Sequence, residues 1–234
     1  MKTKLKNFIK SNKKLFQLFW FVRKKQVVST LKKNIIGKNN KSQISFLSNF
    51  HNCVLEIIGH NNELIVGECS EFKNVKIFIS GSHNKIVIGD RVSFVRGGEI
   101  WIEDNNCSIV VGDKTTFENV HLAATEDNSE IIIGEDCMFA YDIDVRTGDS
   151  HSILDASTNQ RTNYAKSVII GNHVWVASHC SILKGVKIGN NNIVGTRSLV
   201  IKSFLEEGCV IGGNPAGILR SGVTWERQRI KPNA

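Results

Sequence analysis

"IGNHVWVASHCSILKGVKIGNNNIVGTRSLV", Ile170 to Val200, returns to an aliphatic residue every six positions. Ile170, Val176, Ile182, Ile188, Val194 and Val200 carry that beat. Four places after each come Val174, Cys180, Val186, Asn192, Ser198 and Phe204, mostly small or medium. Such a period fits neither an α-helix, whose faces recur about every 3.6 residues, nor a single long strand, whose faces alternate. It fits a triangular coil of short sides, in which the aliphatic residue fills the interior and the smaller one sits near a corner.

Upstream the same plan has a longer period. "IVGECSEF", "VIGDRVSF", "VVGDKTTF" and "IIGEDCMF" place Gly67, Gly89, Gly112 and Gly134 at intervals of 22, 23 and 22. A second β-branched piece and an Asn/Asp/Ser/Gly corner follow each, so the segments read as strands joined by turns. A constant period with no helix between strands stacks each strand on its counterpart in the next coil. The expected fold is all-β: a parallel β-helix over residues 35–220, preceded by a basic segment, 1–34, and followed by a tail, 221–234.

Composition narrows the function. The longest apolar stretch, "LFQLFWFV" at Leu15–Val22, falls far short of the roughly 20 residues a membrane span needs, and no secretory cleavage site follows it. Six cysteines lack metal or CxxC spacing, which predicts reduced thiols, a cytoplasmic location and no metal. The net charge of +8 is an uneven sum: residues 1–34 hold eleven Lys/Arg and no Asp/Glu, while the other 200 hold 19 positive and 22 negative charges. That distribution argues against a nucleic-acid partner, which needs a basic stripe across the folded surface. In the head, Leu5, Phe8, Ile9, Leu15, Phe16, Phe19 and Trp20 recur at helical spacing. The favoured reading is a helix capping the open end of the solenoid; the other is peripheral contact with an anionic membrane.

One repeat breaks the pattern. "SGSHNKI", "EDNNCSI" and "TEDNSEI" carry Asn84, Cys107 and Ser129 two places before their Ile, whereas "RTGDSHSILD" carries His151 there. This register stacks His151 on Ser129 at a corner, pointing outward, with an irregular loop at about 153–166. The Gly134 to Gly171 interval is 37. Because a β-helix is filled inside, chemistry belongs where a coil departs from regularity, and long insertions carry function. Imidazole titrates near neutrality and suits a general base. Asp149 and Asp155 are candidates to orient it, and Asp149, Arg161 and Tyr164 are candidates for substrate contact.

The stretches "DSHSILD", "SVIIGNHVWVAS", "ILKGVKIGNNNIVGTRSLVIKS" and "GGNPAGILR" resemble the hexapeptide-repeat acyltransferases, nearest to the maltose/galactoside and capsular-polysaccharide (polysialic-acid-type) O-acetyltransferase branch. The resemblance implies a left-handed β-helix, a homotrimer with grooves between prisms, and acetyl-CoA as cosubstrate. It implies acetyl transfer to a sugar hydroxyl of a bacterial cell-surface glycan, with His151 as base and oxyanion donors from "HVWVAS". Coenzyme contacts fall on Trp175, Ser178, Thr196, Ile201, Lys202 and Arg220, while Gly217 stands where the family usually has Lys or Arg. Three other readings fit less well. N-acetylation of an amino-sugar nucleotide often comes with an added nucleotide-binding domain. A zinc hydratase needs three placed histidines, which His173 and His179 do not reproduce. A structural solenoid would show threonine ladders and no disruptive loop.

Overall fold

The computed structural model describes residues 12–24 and 30–231. Strands wind into a β-solenoid of about eight turns with three faces. The first face stacks Leu31–Ile36, Cys53–Ile58, Val75–Ser80, the later parts of Ser93–Glu103 and Thr116–Ala124, then Ile143–Arg146, Ser181–Ile182 and Leu199–Val200. The second runs from Lys41–Ile44 to Lys187–Ile188 in seven strands. The third includes Asn49–His51, Met138–Phe139, Trp175–Val176 and Ile193–Val194. All pairs are parallel until Val210–Gly213 meets Ala216–Arg220 in an antiparallel closure.

Register follows the sequence period: Val54 lies against Lys76, His121 against Asp144, Asp144 against Ser181 and Ser181 against Leu199. All six aliphatics of the hexad beat, and Val174, Cys180, Val186, Asn192, Ser198 and Phe204, are buried. In the longer coils a column of Phe50, Phe72, Phe94, Phe117 and Phe139 runs up the interior, rings 4.5 to 5.1 Å apart. Buried polar side chains take up corner carbonyls that would otherwise lack a partner: Asn62 Nδ2 donates to Gly81 O and Asn84 Nδ2 to Asp104 O, each at 2.9 Å. The corners are tight. Gly81 has φ +127°, and a Cβ there would lie 1.8 Å from Asp104 O.

A helix, α1 (Lys13–Lys24), starts at Asn12, whose side chain accepts the Leu15 N–H at 3.2 Å. It lies alongside the solenoid and does not cap it. Phe16 packs on Leu47 and Cys69 and sits near Arg91, and Gln17 donates to Glu68 at 2.7 Å. These partners belong to the corner between the second and third faces of the first three coils. Lys32–Ile36 of the first strand stay exposed, so α1 does not perform the expected capping. Leu5, Phe8 and Ile9 lie outside the described residues, as do 25–29 and 232–234. No described helix is long and apolar enough to cross a membrane.

Candidate active site

The repeat register of the insertion differs from the expectation. Ser108 pairs with Glu130 and Ile131 with Val168, while Glu130 N–H is taken by Ser167. The residue below Ser129 is therefore Lys166, not His151. The chain leaves the coil after Thr147, which is fully buried, and re-enters at Lys166, whose N–H donates to Thr147 O at 2.9 Å. Thr147 stacks below Ala124, its hydroxyl lying 3.1 Å from Ser129 Oγ and 3.0 Å from Thr125 O. The insertion spans 148–165, so His151 stands at its root inside the loop.

The insertion is a small hairpin. Leu154 bridges Arg161, Thr162 N–H donates to Ile153 O and Asp155 N–H to Gln160 O, both at 2.8 Å. At its tip Asp155 accepts bonds from Ser157 and Thr158, which hold its carboxyl down at about 2. That carboxylate is committed to the turn and does not orient the histidine.

At the root, Asn163 is almost fully buried and ties four groups together. Its amide nitrogen donates to His151 O at 2.7 Å and Asp149 Oδ2 at 2.8 Å. Its amide oxygen accepts from Ile153 N–H at 2.7 Å and Arg161 Nε at 3.2 Å. From the coil below, Lys184 bonds Asp149 and also donates to Asn163 O at 2.9 Å. From the turn above, Glu126 accepts from Arg161 at 2.5 Å and from Ala165 N–H at 3.3 Å. The Lys184 bond, then the Asn163 bond, keep the Asp149 carboxyl below its ordinary range. The His151 ring is exposed, and no described residue of the chain hydrogen-bonds it; its backbone N–H closes onto Asp149 O at 2.8 Å. Tyr164 is 60% exposed, with the Arg161 guanidinium 5.0 Å from its ring.

The residues assigned to coenzyme contact separate into two groups. Trp175 lies on the third face between Met138 and Ile193, and Arg220 pairs with Val210 lower on that face. Ser178 and Thr196 stack at the corner between the third and first faces, Thr196 Oγ1 donating to Ser178 O at 2.8 Å. Exposed Ile201 and Lys202 sit at the other end of the first face, at the corner that carries the His151 loop. One chain thus does not bring the groups together; they flank the first face on opposite edges. Within "HVWVAS" the amides of His173, Val174, Trp175 and Ala177 are bonded to Glu135 O, Cys137 Sγ, Asn192 O and Val194 O, whereas the Ser178 amide has no partner among the described residues.

The tail adds a strap that residue spacing did not reveal. Trp225 stacks on His173 at 4.2 Å, donates its indole N–H to His173 O at 2.7 Å and flanks Trp175 at 6.2 Å. Arg227 reaches Asp136, Thr116 and Cys137 O in the coils above. An open depression of about 770 Å³ lies elsewhere, on the first face, lined by Lys76, Glu99, His121, Asp144 and Arg146. Its His121 is bonded to Asp144 at 3.0 Å and none of the expected site residues line it. His151, by contrast, leaves its ring open to a reactant.

No family model matches the chain. Among curated proteins, the polysialic acid O-acetyltransferase of Escherichia coli O1:K1 / APEC is 36% identical over 92 residues, 39% of this chain and 30% of that protein. The enzyme of the same name from Neisseria meningitidis is 36% identical over 94 residues, 40% of this chain and 44% of its own length. The chain therefore spans less than half of either curated relative. Among solved structures, the polysialic acid O-acetyltransferase OatWY superposes with a TM-score of 0.81 at 34% identity, covering 87% of this chain and 94% of that one. The polySia-specific acetyltransferase NeuO gives 0.73 at 28% identity, covering 85% and 89%.

Proposed function

We propose that this chain, which belongs to the hexapeptide-repeat acyltransferase family beside the polysialic acid O-acetyltransferases, moves acetyl from acetyl-CoA to a sugar hydroxyl of a bacterial cell-surface glycan, in the cytoplasm. The observation that carries this reading is the His151 ring: exposed, free of partners among the described residues, and fixed through its backbone to a loop braced from above and below.

The chemistry needs one proton carrier. The unprotonated ring nitrogen accepts the proton of the acceptor hydroxyl as that oxygen bonds to the thioester carbonyl carbon. The tetrahedral adduct collapses with cleavage of the C–S bond, and the imidazolium returns the proton to the departing thiolate. The products are an acetyl ester and free coenzyme A. The oxyanion needs donors in place before it forms, and the unspent Ser178 N–H is the suitable one in its stretch. Lys202 and Arg220 suit the nucleotide phosphates, Trp175 offers an apolar wall, and Thr196 and Ile201 line the approach. Asp149 and Arg161 are paired within the chain, so we assign them to the shape of the acceptor wall and Tyr164 to direct contact. An anionic sugar polymer such as polysialic acid is the acceptor class that the relatives' names support.

A homotrimer completes the site. The first face carries the stacked pair Phe78 and Trp101 and, at its far corner, exposed Ile201, set among Lys76, Glu99, His121, Asp144 and Arg146. A face that mixes aromatic and charged side chains suits contact with a second copy. Three copies turning this face to a common axis would set the His151 edge of one against the Ser178 edge of the next.

The test is thiol release from acetyl-CoA with polysialic acid, other capsular polymers and single sugars, repeated with His151→Ala. Acceptor-dependent release by the wild type and a fall of about 100-fold or more in the variant are expected. If the wild type only hydrolyses the thioester slowly with every acceptor, glycan acetylation is wrong. If the variant keeps full turnover, the base is another group.

A further inference from the structure

Helix α1 is apolar on two sides, and the solenoid accounts for one of them. Phe16 and Gln17 face the corner built from Leu47, Cys69 and Glu68. Leu15, Leu18 and Phe19 remain 38%, 58% and 48% exposed. Spacings of three and four residues put these side chains next to one another on one strip of the helix. A surface helix presenting such a strip to water is incomplete unless something apolar covers it.

The charge around the strip decides what that is. Residues 1–34 hold eleven Lys/Arg and no acidic residue, while the rest of the chain is close to neutral. A second copy of this segment would bring like charges together, and a nucleic acid would leave the leucines and phenylalanine uncovered. A surface that is apolar inside and anionic at its rim satisfies both features. We propose that α1 docks the protein on an anionic lipid bilayer, with Leu15, Leu18 and Phe19 at the acyl boundary and exposed Lys14 among the headgroups. The inference is independent of the acyl-transfer reading. The docking strip lies at the corner between the second and third faces, away from the first-face edges that carry His151 and Ser178.

Sedimentation of the full chain with phosphatidylglycerol-containing vesicles, and with pure phosphatidylcholine vesicles, tests it at low salt. The wild type is expected to pellet with the anionic vesicles and much less with the neutral ones. Leu18→Glu/Phe19→Glu should weaken that binding about tenfold or more by placing two carboxylates in the strip. These positions are exposed, so the near-ultraviolet circular dichroism of the variant should match the wild type and show that the solenoid is intact. No pelleting of the wild type with anionic vesicles overturns the proposal. So does equal pelleting by an intact double variant, which would leave the basic residues acting without the strip.

Discussion

Asn163 is the side chain through which both ends of the loop root meet, and its removal tests whether His151 must be held. Asn163→Ala leaves the Ile153 N–H without its acceptor and frees the His151 carbonyl, at a cost of about 1 kcal/mol, since water reaches both exposed residues. Turnover should fall roughly 10- to 100-fold, as expected when a positioned base loses its geometry, with KM for acetyl-CoA little changed. A parallel rise in that KM would mean the loop serves the coenzyme instead. Lys184 gives an electrostatic counterpart. Because bonding holds the Asp149 carboxyl below its ordinary range, its stabilising effect is complete above about pH 4 and is lost as pH falls through the lowered value. Asp149 therefore stays ionised between pH 5.5 and 8. In Lys184→Met the carboxylate loses its cation, so Tm at pH 7 should fall. Adding Asp149→Asn should recover part of that loss; an unchanged Tm in Lys184→Met would show that the pair adds nothing to stability. His151 was singled out by a repeat alignment that the stacked register does not keep, and only its place in the insertion carries over. Asn163, Lys184 and Glu126 were not legible, since their common point exists only after coils have stacked.

Strands in this fold are weak alone, some only two residues long, and they hold because each is paired above and below. Their positions followed from period alone, because an aliphatic every six residues, or a Gly every 22 or 23, leaves one stacking register. Where the period failed, so did the register. The sequence copies aligned Ile153 with its predecessors, but hydrogen bonding returns the chain at Lys166, whose N–H donates to Thr147 O. The interior ring column is the element most exposed to a single change. Phe94 lies between Phe72 and Phe117 with no solvent access. Phe94→Ala should cost roughly 3–5 kcal/mol, since neighbouring coils cannot close around the void. In a one-dimensional stack that loss stays local, so hydrogen exchange should quicken in the coils around Phe94 and remain slow at the Val168–Ile170 and Ser181–Ile182 strands. A uniform increase along the chain would show the solenoid melting as one unit.

At the scale of the whole molecule, the division of groups between two edges matters more than any one contact. Trp175, Ser178, Thr196 and Arg220 lie on one side of the first face, and His151, Ile201 and Lys202 on the other. A single rigid prism holds those edges apart, so the proposed site, which needs both, is one shared between copies. Mixing inactive variants distinguishes these cases. His151→Ala retains the Trp175 edge, and Trp175→Ala retains the histidine edge. If equal amounts are dissociated and reassembled at random in a cyclic oligomer, about a quarter of the grooves receive an intact edge from each parent. Activity should then return to about a quarter of the wild-type level, although each variant alone is poor. Within one chain the same two defects could never complement, because every copy would carry one of them. A mixture no more active than its parents would therefore place the whole site on a single protomer and remove the reason for the first face to meet another copy.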